Sequence, residues 1–212
     1  MGAPGHTTPL RSATFQNLQL NAGIFIKNAD YSSIANATAL KTAIANLLAG
    51  TTSALGASAA ILGATRGGGS FNVTREIRVP EADGRRYGFK GDSFVDSVEA
   101  QLSTTLIEIT TDTFLTALAG SAMTGSSPKQ TIKLGTAIST SNYLTNVCWI
   151  GDLADGKLIL ICLKNAINQA DLSLTFTDKG EGTIPVEFHA KQDGVSDYDN
   201  APFEIVYFTP AT

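Results

Sequence analysis

Hydrophobic and polar positions alternate with a period of two along much of this chain. The densest stretch runs from Lys157 to Asp193. Lys157–Lys164 holds an unbroken apolar run, Leu158 to Leu163, which predicts a strand covered on both faces. Asp171–Thr177 sets Leu172, Leu174 and Phe176 against Ser173, Thr175 and Thr177. Thr183–Gln192 sets Ile184, Val186, Phe188 and Ala190 against Glu187, His189 and Lys191. Alternation of this kind predicts half-buried strands. Asp155-Gly156 and the run Asp178-Lys179-Gly180-Glu181-Gly182 supply turn chemistry between them. The pattern predicts a meander of antiparallel strands as the scaffold.

Elsewhere the pattern gives further strands at Phe15–Leu20, Gly23–Lys27, Ser70–Val79, Ser97–Thr110, Gln130–Leu134, Tyr143–Ile150 and residues 201–208. In the Ser70 strand, Phe71, Val73, Arg75 and Ile77 share a face opposite Ser70, Asn72, Thr74, Glu76 and Arg78. The apolar set changes phase at Leu106-Ile107, which predicts a bulge, a bend or a crossing between sheets. Asn36–Ala49 instead has helical spacing, with Leu40, Ile44, Leu47 and Leu48 on one stripe and Gly50 as a stop. A short helix is predicted around Phe114, Leu115 and Leu118, capped by Thr111 or Asp112 and ended by Gly120. Residues 121–129 read as a loop. Residues 1–14 read as a flexible arm, 32–64 as a helix-and-loop insertion whose apolar content favours docking against something over disorder, and 80–92 as a charged loop. The whole chain reads as one domain.

Composition changes the picture in one respect. Charged residues make up 16% of the 212 positions, against about 25% in ordinary domains. Either part of the surface is hidden against copies of the chain, or Ser, Thr and Asn wet it. A net charge of −4 and a pI near 5.1 argue against ordinary nucleic-acid binding, which needs a basic footprint. The N-terminus MGAPGHTTPL has no apolar core of a signal peptide, and His6 stands where myristoylation wants Ser or Thr. The small-apolar run Ala54–Ala64 is too short for a membrane span. Cys148 and Cys162 would face each other across a hairpin centred near Asp155. Direct cross-strand bridges are strained, so two buried thiols are expected there rather than a disulfide.

Candidate chemistry is sparse. Gly67-Gly68-Gly69 lacks the Lys-Ser/Thr of a phosphate loop and precedes a strand, so a turn or a close backbone approach is expected. The loop Pro80–Asp92 mixes Glu81, Asp83 and Asp92 with Arg85, Arg86 and Lys90, which suits a solvated or intersubunit loop better than a DNA patch. Asp193, Asp197, Asp199 and Glu204 form an acidic cluster without the EF-hand pattern, and a solvated turn fits it better. His6 and His189 have no ligand partners by spacing, and zinc and serine-nucleophile motifs are missing. No catalytic, cofactor-binding or metal residues are assigned, and no enzymatic activity is expected.

Several segments together resemble the major tail tube proteins of long-tailed, siphovirus-like bacteriophages. They are Asn17-Leu-Gln-Leu-Asn-Ala-Gly-Ile-Phe, Gly63-Ala-Thr-Arg-Gly-Gly-Gly-Ser-Phe, Asp96-Ser-Val-Glu-Ala-Gln-Leu, Trp149-Ile-Gly-Asp-Leu-Ala-Asp-Gly-Lys running into Leu163-Lys-Asn-Ala, Ile184-Pro-Val-Glu-Phe-His-Ala and Ala201-Pro-Phe-Glu-Ile. The resemblance implies an antiparallel β-sandwich or half-barrel with a flanking short α-helix. It implies a structural virion protein that forms hexameric rings, stacked into the tail tube through which DNA reaches the host. The implied partners are the chain itself, the tape measure, tail terminator and baseplate or tip proteins. Double-stranded DNA would pass through the lumen without specific binding, and no membrane or cofactor is involved. The implied location is the virion tail, after assembly in the host cytoplasm. No C-terminal immunoglobulin-like domain, which some relatives carry, is expected.

An acidic chain suits such a lumen, and Glu99, Glu108 and Glu187 are candidates to line it. The arm, the insertion and the 80–92 loop would contact neighbouring subunits and order on polymerisation. Two alternatives remain: a tube component of a phage-related secretion or injection system, and a β-sandwich carbohydrate-binding module.

Overall fold

The computed structural model describes residues 18–81, 83–174, 180–194 and 200–211. The chain is mainly β, with antiparallel pairing throughout and two α-helices. Its centre is the hairpin of β7 (Leu144–Asp152) and β8 (Leu158–Asn168). Asp155-Gly156 makes the turn. Gly156 sits at φ +82°, where a side chain would be strained, and Asp155 Oδ1 accepts from the Lys157 N–H at 3.2 Å.

β8 serves three neighbours. One edge pairs with β7. Its other edge pairs first with β10 (Phe203–Phe208), from Leu158 to Leu163. Its last two residues, Ile167 and Asn168, then pair with β9 (Ile184–His189). Beyond β7 lie β1 (Ile24–Lys27) and the two-residue β2 (Ala60–Ile61). Beyond β9 lie β4 (Phe94–Leu106) and β3 (Thr65–Arg78). The result is one sheet of eight strands, turned at the end of β8 so that its two wings face each other.

The alternating side chains of β7 and β8 feed two separate cores. Val147, Trp149, Ile161 and Leu163 point at the opposite wing and pack with Phe25, Leu102, Leu106, Val186 and Phe188. Cys148, Ile150, Leu158, Leu160 and Cys162 point the other way, under helix α1 (Ala37–Leu48). This is why Leu158–Leu163 carries no polar position: both faces are covered, as its pattern predicts.

α1 begins where Asn36 caps it, Oδ1 accepting from the Ala39 N–H at 2.9 Å. It ends before Gly50, at φ +67°. Ala37, Leu40 and Ala43 face the sheet, and Leu55 from the loop that follows is fully buried beside them. Ser53 Oγ donates to Ala43 O at 2.7 Å, holding that loop to the helix. The segment 32–64 is therefore docked on the sheet within the monomer.

Helix α2 (Thr111–Ala117) starts one residue earlier than the pattern suggests. Thr110 is its cap and accepts from the Thr113 N–H at 3.1 Å. Asp112 is turned instead to Lys27, whose Nζ lies 2.6 Å from both carboxylate oxygens and 3.1 Å from Thr116 Oγ1. This pins α2 to β1.

Four expectations change. Residues 171–174 form no strand, and the rest of the predicted Asp171–Thr177 strand lies outside the described residues. β9 is paired by β4 along its length but by β8 only at Phe188 and His189, and residues 171–174 add no ladder to the rest of that edge; Leu174 packs on the core. Residues 121–129 are not a loop: β5 (Ser121–Ser126) pairs with β6 (Lys129–Leu134). β5 is exposed along most of its length, so it carries no alternation to read. The strand expected to run to Thr110 stops at Leu106, and the phase change marks its end, with the Ile107 N–H donating to Ala64 O at 3.0 Å. Of Phe15–Leu20, only Gln19 makes a bridge, to Leu153; residues 15–17 and the arm 1–14 lie outside the described residues. Among the described residues no helix is long and apolar enough to cross a membrane.

Candidate assembly surface

β4 has a partner on both edges only from Gln101 onward, where β9 joins it. From Phe94 to Glu99 its sole strand partner is β3. Residues Thr74–Arg78 and Phe94–Glu99 thus form a two-stranded ribbon beyond the reach of β9, while Ala100 is already buried in the core. Such a ribbon is marginal on its own. Its apolar side chains are nevertheless uncovered: Ile77 is 53% exposed, Phe94 53% and Val95 54%. A monomer gains nothing from these residues, and an uncovered apolar patch marks an interaction surface.

The loop at its tip has an internal frame. Arg85 pairs with Asp92 and donates to Pro80 O at 2.8 Å and Tyr87 O at 3.1 Å. Asp92 also accepts from the Phe89 N–H at 2.8 Å. Both charged side chains are largely shielded, at 18% and 20% exposure, and Arg85 lies over the Phe89 ring, 5.9 Å from its centre. This clasp holds Tyr87 and Phe89 outward, at 81% and 70% exposure. The 80–92 loop therefore has its own hydrogen-bonded structure in the monomer. The pattern gave little sign of this, because Arg85 and Asp92 read only as two more charges in a mixed run.

The other face of the β3-β4-β9 wing is polar. From Ser70 to Glu76 on β3, Ser97 to Thr105 on β4 and Pro185 to His189 on β9, it carries Glu76, Glu99 and Glu187 and no Lys or Arg. His189 Nε2 lies 2.8 Å from Glu187 Oε1. Glu99 and Glu187 thus share one face. Glu108 does not: it lies beyond the end of β4, beside Gly63.

Among the described residues the unpaired sheet edges include the outer edge of β3, 14 residues long, and that of β10. Gly67-Gly68-Gly69 falls inside β3, where the register jumps from Thr65↔Leu106 to Gly69↔Thr104. A Cβ on Gly69 would stand 2.5 Å from the Phe25 ring and 2.6 Å from Ser103 O, so Gly69 serves close backbone approach, while Gly67 and Gly68 supply positive φ, at +76° and +74°. With Phe25, Phe71 and Trp149 the triplet lines a cleft of about 490 Å³.

Half of the acidic cluster falls among the described residues. Glu204 is engaged by Tyr31 and Lys164, Asp193 is exposed, and Asp197 and Asp199 lie outside the described residues. Among the described residues no three His, Cys, Asp or Glu side chains are placed to hold a metal ion. Trp149 is 9% exposed and donates its indole N–H to Ala22 O at 2.9 Å.

No protein-family model matches this chain, and no curated protein matches it in sequence. Fold and surface define its class by themselves: a mainly antiparallel β protein with open sheet edges and an apolar ribbon that its own fold leaves uncovered.

Proposed function

We propose that the chain is a structural subunit that assembles with copies of itself into hexameric rings, stacked as the tail tube of a long-tailed bacteriophage, with DNA passing through the bore. The observation that carries the reading is the β3–β4 ribbon. Its side chains Ile77, Phe94 and Val95 and its tip residues Tyr87 and Phe89 are exposed, while the Arg85–Asp92 pair frames the tip. An apolar projection on one part of a subunit makes a head-to-tail contact, which closes into rings or runs on into filaments. The long open edge of β3 and that of β10 give copies a second means of joining, by strand addition, and an edge left open is an aggregation hazard otherwise.

The polar face with Glu76, Glu99 and Glu187 suits the bore. Uncompensated carboxylates repel phosphate, so DNA would slide rather than bind. The carbohydrate-module reading gains nothing from the lone tryptophan, which is buried.

Negative-stain microscopy of the purified chain at rising concentration tests the proposal. Hollow tubes or rings of sixfold symmetry are expected. A monodisperse monomer at every concentration would sink it.

A further inference from the structure

The middle of the β7–β8 hairpin holds a pair of thiols that the assembly reading does not use. Cys148 and Cys162 are direct register partners, both fully buried. Their sulfurs lie 2.9 Å apart. Leu153 N–H donates to Lys157 O at 3.0 Å, so 153 and 157 are a hydrogen-bonded pair. Antiparallel pairs alternate in type, which makes Cys148 and Cys162 a non-hydrogen-bonded pair. The β10 side agrees: the Lys164 N–H donates to Pro202 O at 2.8 Å, and Cys162 faces Glu204 two residues further on. Pairs of this type bring their Cα atoms to about 4.5 Å, inside the span of about 4.4–6.8 Å that a disulfide bridges. Two small apolar fillers under α1 would account for the burial but not for sulfurs aimed at each other.

We propose that Cys148 and Cys162 form a latent disulfide, a modification site at which a peroxide joins the two central strands. Cys162 reacts first. Its thiolate sulfur attacks one peroxide oxygen; an S–O bond forms, the O–O bond breaks, and the second oxygen leaves as water after taking a proton. The Cys148 sulfur then attacks the sulfenic sulfur of Cys162. The S–S bond forms, the S–O bond breaks, and the hydroxyl leaves as water with the Cys148 proton. Two thiols lose two electrons in all, and one hydrogen peroxide becomes two waters.

The order follows from the surroundings. Cys162 lies beside the Tyr31 hydroxyl, which donates to Glu204 at 2.7 Å. The Glu204 side chain is 43% exposed, so this side of the pair is the nearer to solvent. The bond of Cys148 to Cys162 and its burial hold its thiol well above the usual range, which keeps it protonated until the second step. The same burial makes the reaction slow.

The test uses the full chain, reduced, desalted and treated with hydrogen peroxide under native conditions. It is then alkylated in denaturant and mapped by mass spectrometry. The expected result is a linked Cys148–Cys162 peptide, no alkylation at either residue, unchanged far-ultraviolet dichroism, and recovery of both thiols with dithiothreitol. In Cys148→Ser the reaction should stop at a sulfenic acid on Cys162, trapped by dimedone. The proposal is overturned if both thiols are alkylated after native treatment although the denatured chain oxidises. Linkage between chains, or sulfinic acid without a bond, overturns it as well. Should the Ser variant fail to fold, the wild-type comparison decides alone.

Discussion

Tyr31 donates its hydroxyl to Glu204 Oε2 at 2.7 Å, joining the approach to α1 to the last strand across 173 positions of chain. Lys164 and this hydroxyl hold the Glu204 carboxyl below its usual value of 4.5. A lowered carboxyl stabilises the fold above that value, and the contribution is lost as pH falls through the lower, folded value. Burial and the bond to Glu204 push the Tyr31 phenol above its usual value of 10.0, so its contribution is present below pH 10 and fades above it. Urea unfolding across pH should show a fall in stability below about pH 4.5 that Glu204→Gln flattens. Because Glu204 is partly exposed, the effect should be about 1 kcal/mol or less. An unchanged acid limb in that variant would remove the assignment.

The docked segment 32–64 makes a sharper prediction. Leu40 is fully buried between α1 and the sheet. Leu40→Ala should cost about 2–5 kcal/mol by denaturant unfolding. A cost under about 0.5 kcal/mol would mean that the helix is not seated there in solution.

Gly69 offers a test of close approach. A methyl at this position meets the Phe25 ring and Ser103 O well inside contact distance. Gly69→Ala should destabilise the chain by about 1–3 kcal/mol. Gly67→Ala is a poor control, because φ there is +76° and strain enters for a different reason.

The clasp and the ribbon separate folding from assembly. Arg85→Ala should free the Phe89 amide to exchange, while the Tm of the body stays within a degree or two, since the tip shares no core. Ile77→Asp combined with Phe94→Asp should abolish tubes or rings and leave the monomer folded. Tubes that persist would transfer the assembly role to the sheet edges.

Charge on the polar face can be read directly. Replacing Glu76, Glu99 and Glu187 together by Lys adds positive charge where the wild type has only negative. Assembled variant should retain duplex DNA, with a log–log salt slope that the wild type lacks. Equal, negligible retention by both would place this face away from the bore.

Much of this fold was legible in the alternation, and the exceptions share a cause. β7, β8, β9, β10 and α1 stood out because each buries a face, and burial imposes period on sequence. The opposed cysteines followed from turn position alone. β5 was missed because it buries almost nothing. At residues 171–174 alternation was over-read: Leu172 is exposed and Leu174 packs on the core, and alternation alone does not supply a neighbouring strand. The assembly surface was half visible. Val73 and Ile77 alternate as a core strand would, and only the end of β9 pairing shows that Ile77 stands beyond its reach. The Arg85–Asp92 clasp left no periodic trace, because it is a contact within one loop.

The three-way engagement of β8 has a mechanical consequence. A pull on the ribbon travels through β4 and β9 into the last two residues of β8, and is resisted along its length by β7 and β10. Load applied that way strains many ladder bonds at once rather than peeling them singly. A subunit so braced could transmit tension from its rim to its centre while its middle hairpin stays in register.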